Sequence, residues 1–313
     1  MRVAWLFPGQ GSQYVGMGRS LVEAFPTARA TFGEADEVLG DQLSDICFTG
    51  PEATLTETEN TQPAILTLSV TVARILEEAG LPPPIIAAGH SLGEYSALVV
   101  AGVLRFADAL RLVRWRGAAM NAAVPSGRGA MAAIIGLDQK TIQSLCRQLD
   151  DGGERVLQPA NLNATDQVVV AGHRTSVEAL VEAAEAAGAS RAIMLPVSGP
   201  FHCRLMEPAG AELGKALEPL ELEPFRFPVI ANVTAEPVTG LERVKELLVR
   251  QVVSPVQWVA TMDTLVRSGI KATIEVGPGR VLSALLRRHS RDTATYNVED
   301  PASFEKTLAA LTA

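Results

Sequence analysis

Ile85-Ile86-Ala87-Ala88-Gly89-His90-Ser91-Leu92-Gly93-Glu94 decides the fold. Pro82-Pro83-Pro84 forces an extended approach, so Ile85 to Ala88 reads as a short buried strand. The chain then turns through Gly-x-Ser-x-Gly, and a helix begins at once with Glu94. In that context the serine sits on a strained turn that lifts its hydroxyl clear, and the flanking glycines let strand and helix pass closely. The helix start aims free N–H groups and a positive dipole end at the same point. Ser91 is thus a candidate nucleophile, and the N–H of Leu92 a candidate donor to an oxyanion. Five residues with three fixed recur by chance, so the alternative is an ordinary glycine-flanked turn. The strand–turn–helix setting is what favours chemistry.

Val3 to Phe7 reads as a second buried strand, ending in the turn Pro8-Gly9-Gln10-Gly11-Ser12-Gln13. In a parallel sheet this turn opens at the same edge as the serine, which makes the N–H of Gln10 a candidate second oxyanion donor. Helices are expected over Thr27–Val38, over Thr61–Ala79 with Gly80 as the stop, from Glu94 to Gly102, and over Phe106–Val124. Composition shifts near Pro125-Ser126-Gly127. Beyond it the pattern reads strand Ala130–Gly136, helix Gln139–Leu149, strands Val156–Asn161 and Gln167–Ala171, helix Ser176–Ala187 and strand Arg191–Val197. That β-α-β-β-α-β order is ferredoxin-like. Strands Phe227–Ala231, Ala272–Val276 and Ala294–Val298 follow. The expected class is α/β: a large domain over 1–126 and 198–313, its parallel sheet covered on both faces, with a small ferredoxin-like domain inserted over 127–197.

A serine nucleophile needs a base, usually histidine. The chain has four histidines. His90 adjoins Ser91, and neighbouring side chains on a turn diverge. His173 lies in the inserted unit, and His289 sits among Arg287, Arg288 and Arg291, whose charge opposes its protonation. His202, after Ser198-Gly199-Pro200-Phe201, ends the strand returning from the inserted unit and is favoured by elimination; a structural histidine is the alternative. Cys203 points away from its neighbour in an extended segment and reads as a small buried residue. In the helix at Phe106, the residues Ala109, Leu112, Val113 and Met120 share one face, and Arg116 falls inside that apolar stripe. Arg111 and Arg114 fall on the other side. A buried guanidinium needs an anion. Either an internal Asp or Glu supplies it, or a substrate carboxylate does.

Of the 313 residues, 47% are hydrophobic and 20% charged, as in a soluble globular protein. The formal net charge of −8 disfavours nucleic acid and anionic membranes. The three cysteines, Cys47, Cys146 and Cys203, are widely spaced, so neither a disulfide framework nor a zinc site is expected, and a reducing cytoplasm is the expected compartment. The apolar run Val3–Phe7 is too short for the core of an export signal.

Phe7-Pro8-Gly9-Gln10-Gly11-Ser12-Gln13, Thr61-Gln62-Pro63-Ala64, Gly89-His90-Ser91-Leu92-Gly93-Glu94, Arg116-Gly117, Gly129-Ala130-Met131, Gly199-Pro200-Phe201-His202, Pro255-Val256-Gln257-Trp258 and Glu275-Val276-Gly277-Pro278-Gly279 occur in that order. The chain thereby resembles the malonyl-CoA:acyl carrier protein transacylases of type II fatty acid synthesis, and is similar to the acyltransferases of polyketide synthases. The resemblance spans nearly the whole chain. It implies an α/β-hydrolase-like large domain with a ferredoxin-like small one. It implies Ser91 as nucleophile, His202 as base and Arg116 as the clamp for the malonyl carboxylate, with Gln62, Met120 and Phe201 also binding substrate. The Gln10 and Leu92 N–H groups become the oxyanion hole. A backbone carbonyl at Gln251 takes the third triad role, and Glu275 becomes structural. The ring of Phe201 implies malonyl over α-branched acyl groups. Malonyl-CoA and acyl carrier protein are the implied partners of a cytoplasmic monomer that needs no cofactor or metal. Arg204, Arg287, Arg288 and Arg291 are candidates for receiving an acidic carrier. The rival readings are a thioesterase that passes the acyl group to water, a polyketide acyltransferase acting in trans, and a silent docking subunit.

Overall fold

The computed structural model describes residues 1–153 and 155–312. β1 (Val3–Phe7) leads through α1 (Arg19–Ala24), α2 (Pro26–Leu39), α3 (Leu43–Thr49), α4 (Glu52–Thr56) and α5 (Thr58–Glu78) to β2 (Ile86–Gly89), α6 (Leu92–Val100) and α7 (Phe106–Ala122). Then come β3 (Gly129–Ile135), α8 (Gln139–Leu149), β4 (Leu157–Ala164), β5 (Gln167–His173), α9 (Arg174–Ala186) and β6 (Arg191–Met194). The chain returns through α10 (Glu207–Leu217), β7 (Val229–Ile230), β8 (Pro237–Val238), α11 (Val244–Val253), α12 (Trp258–Arg267), β9 (Ala272–Val276), α13 (Val281–His289), β10 (Ala294–Val298) and α14 (Pro301–Thr312).

One sheet has the order β10-β9-β1-β2-β7-β8. Its first five strands run parallel, and β8 closes the edge antiparallel to β7. Parallel strands need cover on both faces, and the period of two supplies it. Trp5 and Phe7 face the core shared with α5, α6 and α7, whereas Ala4 and Leu6 face Trp258, Met262 and Leu286 from α12 and α13. Phe7 pairs with Gly89, so the turns after β1 and β2 leave the sheet side by side. That register brings Gln10 and Ser91 to one edge.

The second sheet, β4-β5-β3-β6, is antiparallel throughout. Ala130, Ala132 and Ile134 pack under α8 and α9 against Ile142, Cys146, Val177 and Leu180, while Met131 on the opposite face joins the main core. Backbone bonds between β4 and the segment before α12 tie the two sheets, from Leu162 N–H to the Val256 carbonyl and from Val256 N–H to the Ala160 carbonyl, each 2.9 Å.

Most sequence-based boundaries lie within a few residues of the observed ones, and three differences have physical causes. Helix α6 starts at Leu92, two residues before Glu94, because Ser91 already makes the turn at φ 51°. The strand expected over Phe227–Ala231 shrinks to two residues, since Asn232 turns its backbone and side chain into the elbow. The strand expected to reach Val197 stops at Met194, and Leu195 and Val197 instead line a cavity beside Ser91.

Candidate active site

The elbow has no room for side chains at its glycines. A Cβ on Gly89 would overlap the backbone of Gly93 and Glu94, and one on Gly93 would overlap the carbonyl of Phe7. A non-glycine residue at positive φ is costly, so Ser91 needs support from its surroundings. Asn232 supplies it: its Oδ1 accepts from the Ser91 N–H at 2.7 Å, and its Nδ2 donates to the Gly89 carbonyl at 2.6 Å. Asn232 lies in none of the motifs quoted from the sequence. The available signal was an amide side chain at the carboxyl end of a parallel strand, where sites in such sheets gather.

His202 Nε2 lies 2.7 Å from Ser91 Oγ, and its Nδ1–H donates to the Gln251 carbonyl at 2.8 Å. The second bond fixes the tautomer that leaves Nε2 free to accept a proton. Burial, reinforced by the nearby Arg116 charge, holds His202 far below its ordinary value, at about 3. The neutral form is therefore the resting one, as a proton acceptor requires. The other histidines have partners of their own. His90 bonds Asn163 at 2.9 Å, His173 Nδ1 accepts from the Val156 N–H, and His289 pairs with Asp263. Cys203 is buried and donates to the Pro200 carbonyl, and burial pushes its thiol up to about 12.

Arg116 is 2% exposed, in the apolar stripe of α7 where the helical period put it. Its Nη1 donates to Gln62 Oε1 at 2.8 Å, and its Nη2 to Gln251 Oε1 at 2.9 Å and Ser91 Oγ at 3.2 Å. The guanidinium also lies over the Tyr95 ring at 5.1 Å. Among the described residues it makes no ion pair, and its buried Nε has no hydrogen-bond partner. The internal carboxylate that the sequence left as an alternative is not in contact with it. Arg116, Met120, Phe201, Leu92, Gln10 and His202 line a cavity of about 110 Å3 at Ser91. Gln10, His90 and Asn161 are shared with a larger cleft of about 480 Å3 running between the two sheets' loops toward α13. Among the described residues, neither the Gln10 nor the Leu92 N–H makes a hydrogen bond, so both can donate.

The Glu275 carboxylate accepts the N–H groups of Leu282 and Ser283 at the start of α13 and lies outside this cavity. Of the four arginines considered for a carrier, Arg204 is bound to Asp150 at 2.6 Å and Arg288 to Asp166 at 2.8 Å, while Arg287 donates to Thr295. Arg291 is exposed.

A strained serine bonded to an imidazole, with two free amides and a cation at one cavity, can form and stabilise an acyl-serine. Such a site is suited to acyl transfer. The sequence profile of the family described as "Acyl transferase domain" matches residues 4–304, and the chain belongs to that family. It is 45% identical to the malonyl CoA-acyl carrier protein transacylase of Bacillus subtilis (strain 168), over 99% of this chain and 97% of that one. Identity to the protein of the same name in Escherichia coli (strain K12) is 44%, over 97% and 98%. Among solved structures, it matches a malonyl-transacylase in complex with its type II PKS acyl-carrier protein with TM-score 0.96 and 44% identity, covering 99% of this chain and 100% of that one. The transacylase of Coxiella burnetii matches with TM-score 0.97 and 40% identity, over 100% and 98%.

Proposed function

We propose that this chain moves a malonyl group from malonyl-CoA to the phosphopantetheine thiol of acyl carrier protein, through a malonyl-Ser91 intermediate, in fatty acid biosynthesis. The observation that carries the reading is Arg116: a buried cation with no carboxylate in contact, Glu94 being held off by the Gln251 amide, and 3.2 Å from the candidate nucleophile. A dicarboxylic acyl group attached at Ser91 brings the missing anion to it, and a guanidinium fork suits a planar carboxylate. The near-full-length relatives bear the name of this activity.

In the first half-reaction the Ser91 hydroxyl gives its proton to His202 Nε2 as Oγ attacks the thioester carbonyl carbon. The tetrahedral oxyanion accepts from the Gln10 and Leu92 N–H groups. The C–S bond breaks, and the leaving coenzyme A thiolate takes the proton back from His202. In the second half the carrier's thiol gives its proton to His202, its sulfur attacks the malonyl ester, and Ser91 leaves reprotonated. The Gln251 carbonyl, as acceptor from Nδ1, stabilises the imidazolium that forms in each half. Gln62 orients the guanidinium, while Met120 and Phe201 close the apolar side of the acyl cavity. Neither half-reaction calls on a cofactor or metal.

The large domain, 1–126 and 198–313, is read as α/β-hydrolase-like and the insert, 127–197, as ferredoxin-like; the parallel and antiparallel sheets and the insert's separate core support this. The compartment we assign it is the cytoplasm; among the described residues no helix is long and apolar enough to cross a membrane. Among the described residues, large exposed apolar side chains are few, which agrees with a monomer. The test is product analysis: with malonyl-CoA and holo carrier protein, malonyl-carrier should accumulate. Free malonate as the main product would favour a thioesterase instead.

A further inference from the structure

Glu94 is 3% exposed on the first turn of α6, three residues after Ser91, and no step above uses it. Its Oε2 accepts from Gln251 Nε2 at 2.7 Å and from the Asn232 N–H at 3.0 Å. These are the two residues that hold the base and the elbow. The other end of the Gln251 amide, Oε1, accepts from Arg116, and Nε2 also donates to the Ser91 carbonyl at 3.0 Å. An amide is nearly symmetric in shape but not in chemistry. Turned over, Gln251 would set its NH2 against the Arg116 guanidinium, donor against donor, and its oxygen against the Glu94 carboxylate, acceptor against acceptor. An ionised carboxylate can only accept, so it adds a charged penalty on the turned state to those from Arg116 and the Ser91 carbonyl. We propose that Glu94 is a positioning residue that fixes which end of the Gln251 amide faces Arg116, and thereby keeps the cation aimed for a malonyl carboxylate. The inference rests on reading Ser91 as nucleophile and Arg116 as clamp.

The surroundings leave Glu94 little else to do. Leu98 on its own helix, Val229 and Val238 on β7 and β8, and Val244 and Leu247 on α11 wall its other side. The charged and titratable groups near it are Arg116 on α7, Tyr95 on its own helix, and His202 beyond Gln251. Burial pushes the Glu94 carboxyl up to about 7, opposed by the bonds from Gln251 and Asn232 and by Arg116. A protonated carboxyl can donate as well as accept, so the lock should weaken as pH falls below about 7 and hold above it.

The experiment measures acyl-Ser91 formation by intact mass from malonyl-CoA and, separately, acetyl-CoA, across about pH 5.5 to 9. It uses wild type, Glu94→Gln and Glu94→Asp, with thermal unfolding alongside. Glutamine keeps the shape and weakens the lock, because its own amide can meet either end of Gln251, leaving Arg116 and the Ser91 carbonyl alone to set the orientation. The expected result is an E94Q protein that still folds and loads acetyl, with its malonyl-over-acetyl preference reduced about tenfold or more, in line with one hydrogen bond to a charged group. Wild type should lose preference on the acid side of about pH 7, E94Q should be flat there, and E94D should recover part of the preference. Equal loss of malonyl and acetyl loading in E94Q, or wild-type preference and pH profile in E94Q, would overturn the proposal. If E94Q does not fold, equal loss of malonyl and acetyl loading in a folded E94D protein overturns it. Absence of any acyl adduct on wild type defeats the underlying reading of the site instead.

Discussion

Replacing Arg116 with alanine separates recognition of the acyl group from the chemistry on it. Arg116 touches Gln62, Gln251 and Ser91, and no carboxylate among the described residues. Removing one partner of a buried, hydrogen-bonded charge pair costs about 2–5 kcal/mol. At about 1.4 kcal/mol per tenfold, malonyl loading of Ser91 should fall between about thirtyfold and several thousandfold in kcat/KM. Acetyl-CoA brings no carboxylate, so its loading loses nothing by that route. Arg116 also depresses His202, so its removal makes the base easier to protonate, and acetyl loading should hold or rise. Rapid-quench mass spectrometry with each donor gives both rates on one protein, and far-UV circular dichroism checks folding. Arg116→Lys keeps the charge without the fork and should recover only part of the malonyl rate. Parallel loss of malonyl and acetyl loading in a folded R116A protein would refute the clamp, leaving Arg116 as a brace for Gln62 and Gln251.

Three further outcomes follow from the geometry. His202 titrates near 3 when folded and near 6.5 when free, so between these values the unfolded chain binds a proton that the folded chain does not. Its contribution to stability is thus lost as pH falls through that window, by at most about 1.4 kcal/mol per pH unit, and urea titrations should show a flatter acid limb for His202→Gln than for wild type. Gly89→Ala forces a methyl into the backbone of Gly93 and should cost about 3 kcal/mol or more, read as a large drop in melting temperature or as insoluble protein. Phe201→Ser widens the acyl cavity beside Met120 and should raise methylmalonyl relative to malonyl loading at least about tenfold, since one methylene in an apolar pocket is worth that much.

What was legible in the sequence was local. The elbow announces itself within ten residues, because strand, glycines and helix start are all encoded there. Arg116 could be placed by the helical period of α7 alone. The insert was readable because its elements alternate regularly within one short stretch. What the sequence hid has long separations and generic chemistry. Asn232 reaches the elbow across 141 residues. Gln251 serves His202 through a backbone carbonyl, which every residue type carries, so only the resemblance pointed to it. Glu94 looked like an ordinary acidic residue at a helix start until the fold laid Gln251 against it. The short helices α1, α3 and α4 lack side-chain caps, and β8 is two residues long, so neither period nor cap signals marked them.

The most direct test of the central claim is to map the acyl adduct. The protein is incubated with malonyl-CoA alone, digested, and sequenced by mass spectrometry, with Ser91→Ala treated in parallel. A malonyl mass on the peptide containing Ser91, absent from the variant and discharged quantitatively by holo acyl carrier protein, is the expected result. A malonyl group on another residue, an adduct undiminished in Ser91→Ala, or one that only water removes would contradict it.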